Sequence, residues 1–198
     1  AMPLRWLASL VVVLVGPLPA LAAGLSCAGQ INCSETSSFV AMLSDFRTSV
    51  AGNDRVATAT MRFQNKLNKP LILGYVTGSG VVTDDKGNRY VPGPDSVRGI
   101  GAVAGSNVDA KFTLEPGEAS DARFEFTWKA SKATLGTTYE LDLTVQEFEA
   151  LASGQYKPGK ERVLHFTNAG QKAATTVAPT AAAVGVPTDP CADLPRCA

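Results

Sequence analysis

Residues 121–129 read DARFEFTWK, and this stretch decides the fold class. Apolar side chains occupy alternate positions: Ala122, Phe124, Phe126 and Trp128. Successive side chains of a strand point to opposite faces, so the alternation predicts a strand with one face on a core and the other in water. A helix would bring residues three and four apart together and would place Arg123 beside Phe126, which makes a poorer apolar stripe.

Two further stretches show the same period of two, namely residues 55–64 (RVATATMRFQ) and 138–146 (TYELDLTVQ). Weaker strand patterns cover residues 39–50, 71–77, 81–83, 89–91, 110–114 and 162–167. The turn sequences DDKGN (84–88) and LEPGE (114–118) separate strands, because glycine adopts positive φ at little cost. Residues 147–155 (EFEALASGQ) suggest one or two turns of helix. We therefore predict an all-β protein, an immunoglobulin-like antiparallel β-sandwich of 7–9 strands over residues 37–168.

The amino-terminal residues 1–23 have the layout of a secretory signal peptide. Arg5 precedes an apolar run over residues 6–15, and Ala20 and Ala22 are small residues suited to a cleavage site. A membrane-spanning helix needs about 20 apolar residues, and this run is shorter. The pattern predicts an exported protein, periplasmic or extracellular, with no membrane span after signal cleavage.

The chain has four cysteines, Cys27, Cys33, Cys191 and Cys197, which form two pairs with five residues between the members of each. In an oxidising compartment pairing is expected, and four cysteines allow three connectivities. Chain entropy favours a bridge between the two ends of the protein, whereas proximity and matched spacing favour local pairs. We expect the disulfides Cys27–Cys33 and Cys191–Cys197. The spacing does not fit the usual ligand spacing of a four-cysteine zinc site.

Composition divides the exported chain into four parts. Residues 24–36 are a cysteine-bearing lead segment, and residues 37–168 carry the strand patterns. Residues 169–190 are rich in alanine, threonine and proline, and residues 191–198 contain the second cysteine pair. A segment of small and polar residues buries too little surface to offset the entropy of ordering it, so we predict a linker within a disordered carboxyl-terminal tail.

The charge of the chain argues against nucleic acid as a partner. The sequence contains 18 basic and 18 acidic residues, and loss of residues 1–23 would remove only Arg5. Proteins that bind nucleic acid carry a concentrated basic surface, which this balance does not indicate. A protein partner or self-association is the expectation that remains.

Several turn sequences resemble those of a known family. The order is FQN followed by Pro70, then DKGNRY (85–90), then LEPGE (114–118) leading into ARFEF (122–126). This order resembles the immunoglobulin-like domain of bacterial exported proteins in the DUF4352 family, over residues 55–145. The resemblance implies an exported accessory or ligand-holding module without catalytic residues. Residues 92–107 and both cysteine loops depart from the family's pattern.

The segment 92–107 is the candidate partner-binding loop. Its residues Arg98, Ile100 and Val103 would be displayed near the tip of a long connection, and long loops are often functional. An inert mobile loop is the alternative. Residues 99–104 also match the dinucleotide fingerprint G-x-G-x-x-A, but that chemistry needs a strand before it and a helix after it. We therefore expect no cofactor.

Other polar residues do not form a recognisable catalytic or metal site. His165 is the only histidine and falls on the predicted outer face of its strand, away from any serine hydrolase motif. Asp84, Asp85 and Asn88 could bind calcium, but they lack the ligand spacing of an EF-hand loop. Glu125 and Asp142 fall on outer faces, where carboxylates are normally solvated.

We therefore expect a protein that is not an enzyme and binds no metal. The favoured function is a non-catalytic binding or accessory module of the cell envelope that acts through the 92–107 loop or an exposed strand edge. The alternative is a structural subunit of a surface filament or extracellular assembly.

Overall fold

The computed structural model describes residues 26–109, 111–129 and 134–170. Within these ranges the regular structure consists of strands alone. They are β1 (Cys33–Glu35), β2 (Phe39–Ala51), β3 (Asp54–Asn65), β4 (Leu71–Val76), β5 (Val81–Asp84), β6 (Arg89–Arg98), β7 (Gly101–Ala104), β8 (Asn107–Val108), β9 (Thr113–Leu114), β10 (Ala119–Trp128), β11 (Tyr139–Ala150) and β12 (Tyr156–Ala169). Seven of these strands have six or more residues, and the other five have two to four.

The strands form an immunoglobulin-like sandwich, which confirms the predicted all-β fold. The first sheet has the order β1-β2-β3-β10-β6, and the second is built around β11, which pairs with β12 on one side and with β4 and β5 on the other. The short strands β7, β8 and β9 extend the second sheet next to β4.

One side of the sandwich is closed and the other is open. Strand β6 pairs with β5 through Arg89 and Tyr90, and with β10 through its later residues, so it joins the two sheets. On the opposite side, β12 pairs with β11 and with no further strand in the described part of the chain. Strand β2 is covered there only by the three residues of β1.

The alternating pattern places the core as the sequence predicts. In β10 the side chains of Ala122, Phe124 and Phe126 are fully buried, and in β11 those of Leu141 and Val145 are fully buried too. The sheets contact each other through such side chains, and the rings of Tyr75 and Phe124 meet edge to face with centroids 5.4 Å apart. Each large apolar side chain buried this way stabilises the fold by about 1.5–3 kcal/mol.

The predicted helix over residues 147–155 is wrong. Strand β11 continues to Ala150, and residues 151–155 form a hairpin turn into β12, which begins at Tyr156. The turn is closed by the N–H of Leu151 bonding to the carbonyl of Gln155 and by Gly154 at φ 78°. Helix propensity is a weak preference, and pairing of β11 with strands on both sides outweighs it.

Residues 92–107 are not a loop, contrary to the prediction. Strand β6 runs through the first seven of them, and β7 and β8 form a short hairpin from the rest. Strand β7 lies parallel to β4, with Gly101 opposite Gly74 and Val103 opposite Val76. The segment is therefore part of the second sheet beyond Arg98.

The predicted local disulfide Cys27–Cys33 is confirmed, with its Cα atoms 5.2 Å apart. Cys33 opens β1, which pairs with β2, so the lead segment is attached to the first sheet. Cys191 and Cys197, the signal peptide over residues 1–23 and the predicted tail beyond residue 170 lie outside the described residues.

Candidate functional site

The apolar residues of the predicted binding loop belong to the core. Ile100 is 8% exposed and packs in the main core, and Val103 is 6% exposed and packs with Ile72 and Phe148. The prediction that these two side chains are displayed to a partner is wrong, because Ile100 packs in the main core and the pairing of β7 with β4 places Val103 against Ile72 and Phe148. Of the three predicted residues, only Arg98 is exposed.

At two glycines of the dinucleotide-like motif, a backbone carbonyl of another segment lies so close that a Cβ atom would collide with it. Gly99 has φ +80°, and a Cβ there would lie 2.5 Å from the carbonyl oxygen of Asp121. A Cβ at Gly101 would lie 1.6 Å from the carbonyl oxygen of Asp109. A strand, not a helix, follows these glycines, so their spacing serves the turn between β6 and β7.

The middle of β6 contains an irregular bulge of four residues. Val97 lies opposite Phe124 and Pro92 opposite Phe126, so residues 93–96 have no direct counterparts in β10. The Ser96 hydroxyl closes the bulge by donating to the carbonyl of Gly93 at 2.7 Å. A pocket of about 180 Å³ on one side is lined by polar groups that include Arg98, and one of about 450 Å³ on the other side is more apolar.

The only histidine contacts a carboxylate on the outer face of the second sheet. Nδ1 of His165 lies 2.5 Å from Oδ1 of Asp142, its direct cross-strand neighbour, and both side chains are well exposed. The hydroxyl of Ser79 instead links the β4–β5 turn to β11, since it accepts from the N–H of Thr144 at 2.9 Å and donates to the carbonyl of Val76. Glu125 is on the outer face of the first sheet, so it and Asp142 do not meet.

Asp84 is a buried hydrogen-bond acceptor that organises one end of the sandwich. Its carboxylate accepts hydrogen bonds of 2.8–3.0 Å from the backbone N–H groups of Lys86, Asn88 and Gly136 and from the side-chain amide of Asn88. Burial alone would raise the pKa of Asp84, but these donors outweigh it and hold the pKa below its usual value. The neighbouring Tyr90 has its pKa raised to about 12 by burial and by nearby Tyr139 and Asp84.

The same donors disfavour calcium at the Asp84–Asn88 turn. Both carboxylate oxygens of Asp84 already face N–H groups, which repel a cation, and Asp85 accepts from the N–H groups of Thr137 and Thr138. Those two bonds hold the pKa of Asp85 below its usual value. Over residues 26–109, 111–129 and 134–170 no group of three histidine, cysteine, aspartate or glutamate side chains is placed to hold a metal.

The opposite end of the sandwich contains a charged pair that faces inward. Nε of Arg162 donates to Oε1 of Glu147 at 2.8 Å, and the Ser38 hydroxyl donates to Oε2 at 3.2 Å. One terminal nitrogen of Arg162 lies 3.4 Å from the hydroxyl oxygen of Ser37. The side chains of Arg162 and Glu147 are only 24% and 16% exposed, so the pair is largely shielded from water.

This pair lines a groove of about 400 Å³, which we call the end groove. Its apolar walls include Leu67, Pro70, Ile72 and Phe148, and its other charged residues are Lys69, Glu149 and Lys160. Lys69 and Lys160 are exposed and have no ion-pair partner among the described residues. The end groove therefore combines apolar walls with two lysine ammonium groups that are free to bind an anion.

The open edge of β12 adjoins the end groove, and its hydrogen-bonding direction follows from β11. The N–H of Thr144 points to Ser79, away from β12, so the alternate residues Leu143 and Val145 direct their backbone groups to β12. Their partners are Leu164 and Arg162. Val163 and His165, which alternate with these residues, therefore direct their N–H and C=O groups to the open side, and the trans peptide after Phe166 directs the N–H of Thr167 there too.

Sequence reasoning missed the pair Glu147–Arg162, although the strand pattern contained a signal for it. Counting by two from Leu141 through Val145 reaches Glu147, and counting back by two from Leu164 reaches Arg162. Both are charged residues at inward positions, and their charges are opposite. The sequence does not contain the register of β11 and β12, and that register places these two residues next to each other.

Comparisons with known proteins give weak structural likeness alone. No family model matches the chain, so the DUF4352 resemblance gains no support, and no curated protein matches it. Northeast Structural Genomics Consortium target SoR45 is 12% identical, with 67% of this chain and 89% of that chain covered and a TM-score of 0.38. An uncharacterized β-sandwich protein from Clostridium difficile 630 is 8% identical, with coverage of 69% and 89% and a TM-score of 0.34.

A third solved structure is PapD-like domain 7 of human CEP192, which is 12% identical with coverage of 83% and 94% and a TM-score of 0.28. At these identities and TM-scores the likeness carries no argument about function, and the fold assignment rests on the strand order above. Among the described residues there is no helix of the length and apolarity needed to cross a membrane.

Proposed function

We propose that this protein is a non-catalytic binding module of the cell envelope that holds an extended segment of a partner protein by strand addition to the open edge of β12. The observation that carries the proposal is the direction of the backbone at Val163, His165 and Thr167. The N–H groups of all three and the C=O groups of Val163 and His165 face the open side, and β12 has no second strand partner in the described part of the chain. An unpaired strand edge is a template for another chain.

The sequence of β12 protects one half of that edge and leaves the other half available. Lys157, Pro158 and Lys160 lie in the first half, where Gly159 and Lys160 form a bulge opposite Glu147. Proline, lysine and bulges are devices that block strand pairing at sheet edges. Residues 163–166 carry none of them, the next bulge lies at Thr167 and Asn168 opposite Glu140, and Val163 is 72% exposed. The geometry favours pairing at residues 163–167.

Export is part of the proposal, and two features support it. The sequence pattern of residues 1–23 is typical of a signal peptide. The disulfide Cys27–Cys33 is of a kind that persists in oxidising compartments and is rare in the cytosol. The partner would then be another protein of the envelope or the extracellular space.

Site-specific photocrosslinking in the source organism tests the proposal. A photoreactive residue at position 163 should yield an adduct with a partner protein, and the same residue at position 91 should not. Val91 is the matched control because it is 51% exposed on a strand at the closed side. The adduct should be lost in Thr167→Pro, which removes an N–H that faces the open edge. Equal adducts at both positions would overturn the proposal.

Self-association through the same edge is the second candidate, because a β12 edge could pair with that of another copy. Crosslinks at position 163 would then join two copies of this chain, and size-exclusion chromatography would show a dimer that Thr167→Pro dissociates. A binding module would stay small and yield a heterologous adduct.

A further inference from the structure

We propose that the end groove binds an acidic side chain of the partner segment, so that the partner is an extended peptide with a carboxylate beyond its paired residues. The inference rests on the proposed function and adds the chemistry by which the partner is recognised. The two sites are continuous, because Lys160 and Arg162 of β12 line the end groove and Val163 begins the available edge.

Spacing along the strand sets where the acidic residue must lie. Strands rise about 3.3 Å per residue, so Lys160 lies roughly 10 Å from Val163 along β12. A peptide that pairs with residues 163–167 and continues past Arg162 would reach the groove two to three residues later. The bulge at Gly159 and Lys160 then interrupts regular pairing, so that contacts there depend on side chains.

The charges of the groove are arranged to receive an anion. The carboxylate of Glu147 is already paired, because its two oxygens accept hydrogen bonds from Arg162 and Ser38. The guanidinium of Arg162 keeps a terminal nitrogen that makes no hydrogen bond in the described part of the chain, and Lys69 and Lys160 are unpaired there. Glu149 is the one carboxylate in the lining that opposes them. Guanidinium and ammonium groups form strong charge-assisted hydrogen bonds with carboxylates.

The walls of the groove add a second requirement. Leu67, Pro70 and Phe148 offer apolar surface beside the cations. An apolar residue next to the acidic one would bury against these walls, whereas a second charge would lose hydration without compensation. The expected segment is therefore an extended stretch that ends in an acidic residue followed by an apolar one.

Nuclear magnetic resonance titration of the labelled protein, residues 24–198, tests the inference with two defined peptides. The probe is Ac-Thr-Val-Thr-Val-Gly-Glu-Leu-amide, and its matched control replaces glutamate with glutamine. The glutamate peptide should shift the amide signals of Ser38, Lys69 and Arg162 and should bind at least about tenfold more tightly than the glutamine peptide, as expected for a charge-assisted hydrogen bond.

Groove variants separate this contact from strand addition. Lys69→Ala with Lys160→Ala should remove most of the preference for glutamate, whereas Lys86→Ala should leave it unchanged, because Lys86 lies at the other end of β11 beside Asp85. Thr167→Pro should weaken both peptides. Equal binding of the two peptides, or a preference that survives the double variant, would overturn the inference. So would the absence of binding at millimolar concentration, and neither result would affect the crosslinking test at position 163.

Discussion

Arg162 and Glu147 form an ion pair at inward positions of adjacent strands, with Nε of Arg162 2.8 Å from Oε1 of Glu147. The apolar core ends at this pair, and a groove opens beyond it. The pair thus belongs both to the stability of the sandwich and to the surface that we propose for binding. These two roles can be measured apart.

The Glu147–Arg162 pair predicts a specific stability effect. Glu147→Ala leaves a largely shielded guanidinium without its carboxylate, and we expect the free energy of unfolding to fall by about 1–2 kcal/mol, less than for a fully buried pair. Replacing both residues, Glu147→Leu with Arg162→Met, should recover most of that loss. Urea denaturation measures both.

The exposed pair of His165 and Asp142 supplies the control for this comparison. Asp142→Ala should change the free energy of unfolding by less than about 0.5 kcal/mol, because exposed ion pairs contribute little. If Glu147→Ala changed the free energy of unfolding as little as Asp142→Ala does, the inward pair would not stabilise the sandwich.

Asp84 predicts a pH dependence of stability. Its pKa is lowered in the folded protein, so its contribution is present above the unfolded pKa of about 3.9 and is lost as the pH falls through the folded value. Asp84→Asn should cost about 3 kcal/mol at pH 7, since each carboxylate oxygen accepts from two N–H groups and one of the two oxygens becomes an NH2 donor.

Acid titration of unfolding checks the prediction for Asp84. The difference in stability between wild type and Asp84→Asn should shrink as the pH falls below about 4. Asp85 and Glu35 also have lowered pKa values, and their effects cancel in that difference. The exposed Asp45 serves as control, and Asp45→Asn should have little effect. A difference that stays constant down to low pH would contradict this role for Asp84.

The disulfide Cys27–Cys33 closes a short loop in front of β1. Cys27→Ser with Cys33→Ser, in a background where Cys191 and Cys197 are serine, should lower the free energy of unfolding by about 2 kcal/mol through loop entropy. Thermal unfolding with and without reductant measures the same effect. An unchanged midpoint would mean that β1 separates from the sheet before the core unfolds.

The fold could be predicted because alternation is a local signal. Phe124 and Leu141 lie inside as their positions in the strand pattern require. The helix over residues 147–155 could not be rejected locally, because its sequence favours helix and only pairing with distant strands overrides that preference. Ile100 and Val103 were misplaced for the same reason, since the parallel pairing of β7 with β4 is set by contacts far apart in sequence.

The candidate site could be predicted only in part. An exposed strand edge was expected as one route to a partner, but which edge is open depends on sheet order, which the sequence pattern does not contain. Glu147 and Arg162 were identifiable as charged residues at inward positions. Their meeting depends on the register of β11 and β12, including the bulge opposite Glu147.

Amide hydrogen exchange along β12 tests whether residues 163–167 form an open strand edge. We expect exchange rates to alternate in the native protein, with slow exchange at Leu164 and Phe166, whose N–H groups bond to β11, and fast exchange at Val163, His165 and Thr167. Uniformly slow exchange across residues 163–167 in the isolated protein would show that this edge is already covered. It would contradict the proposal that the edge is available for strand addition.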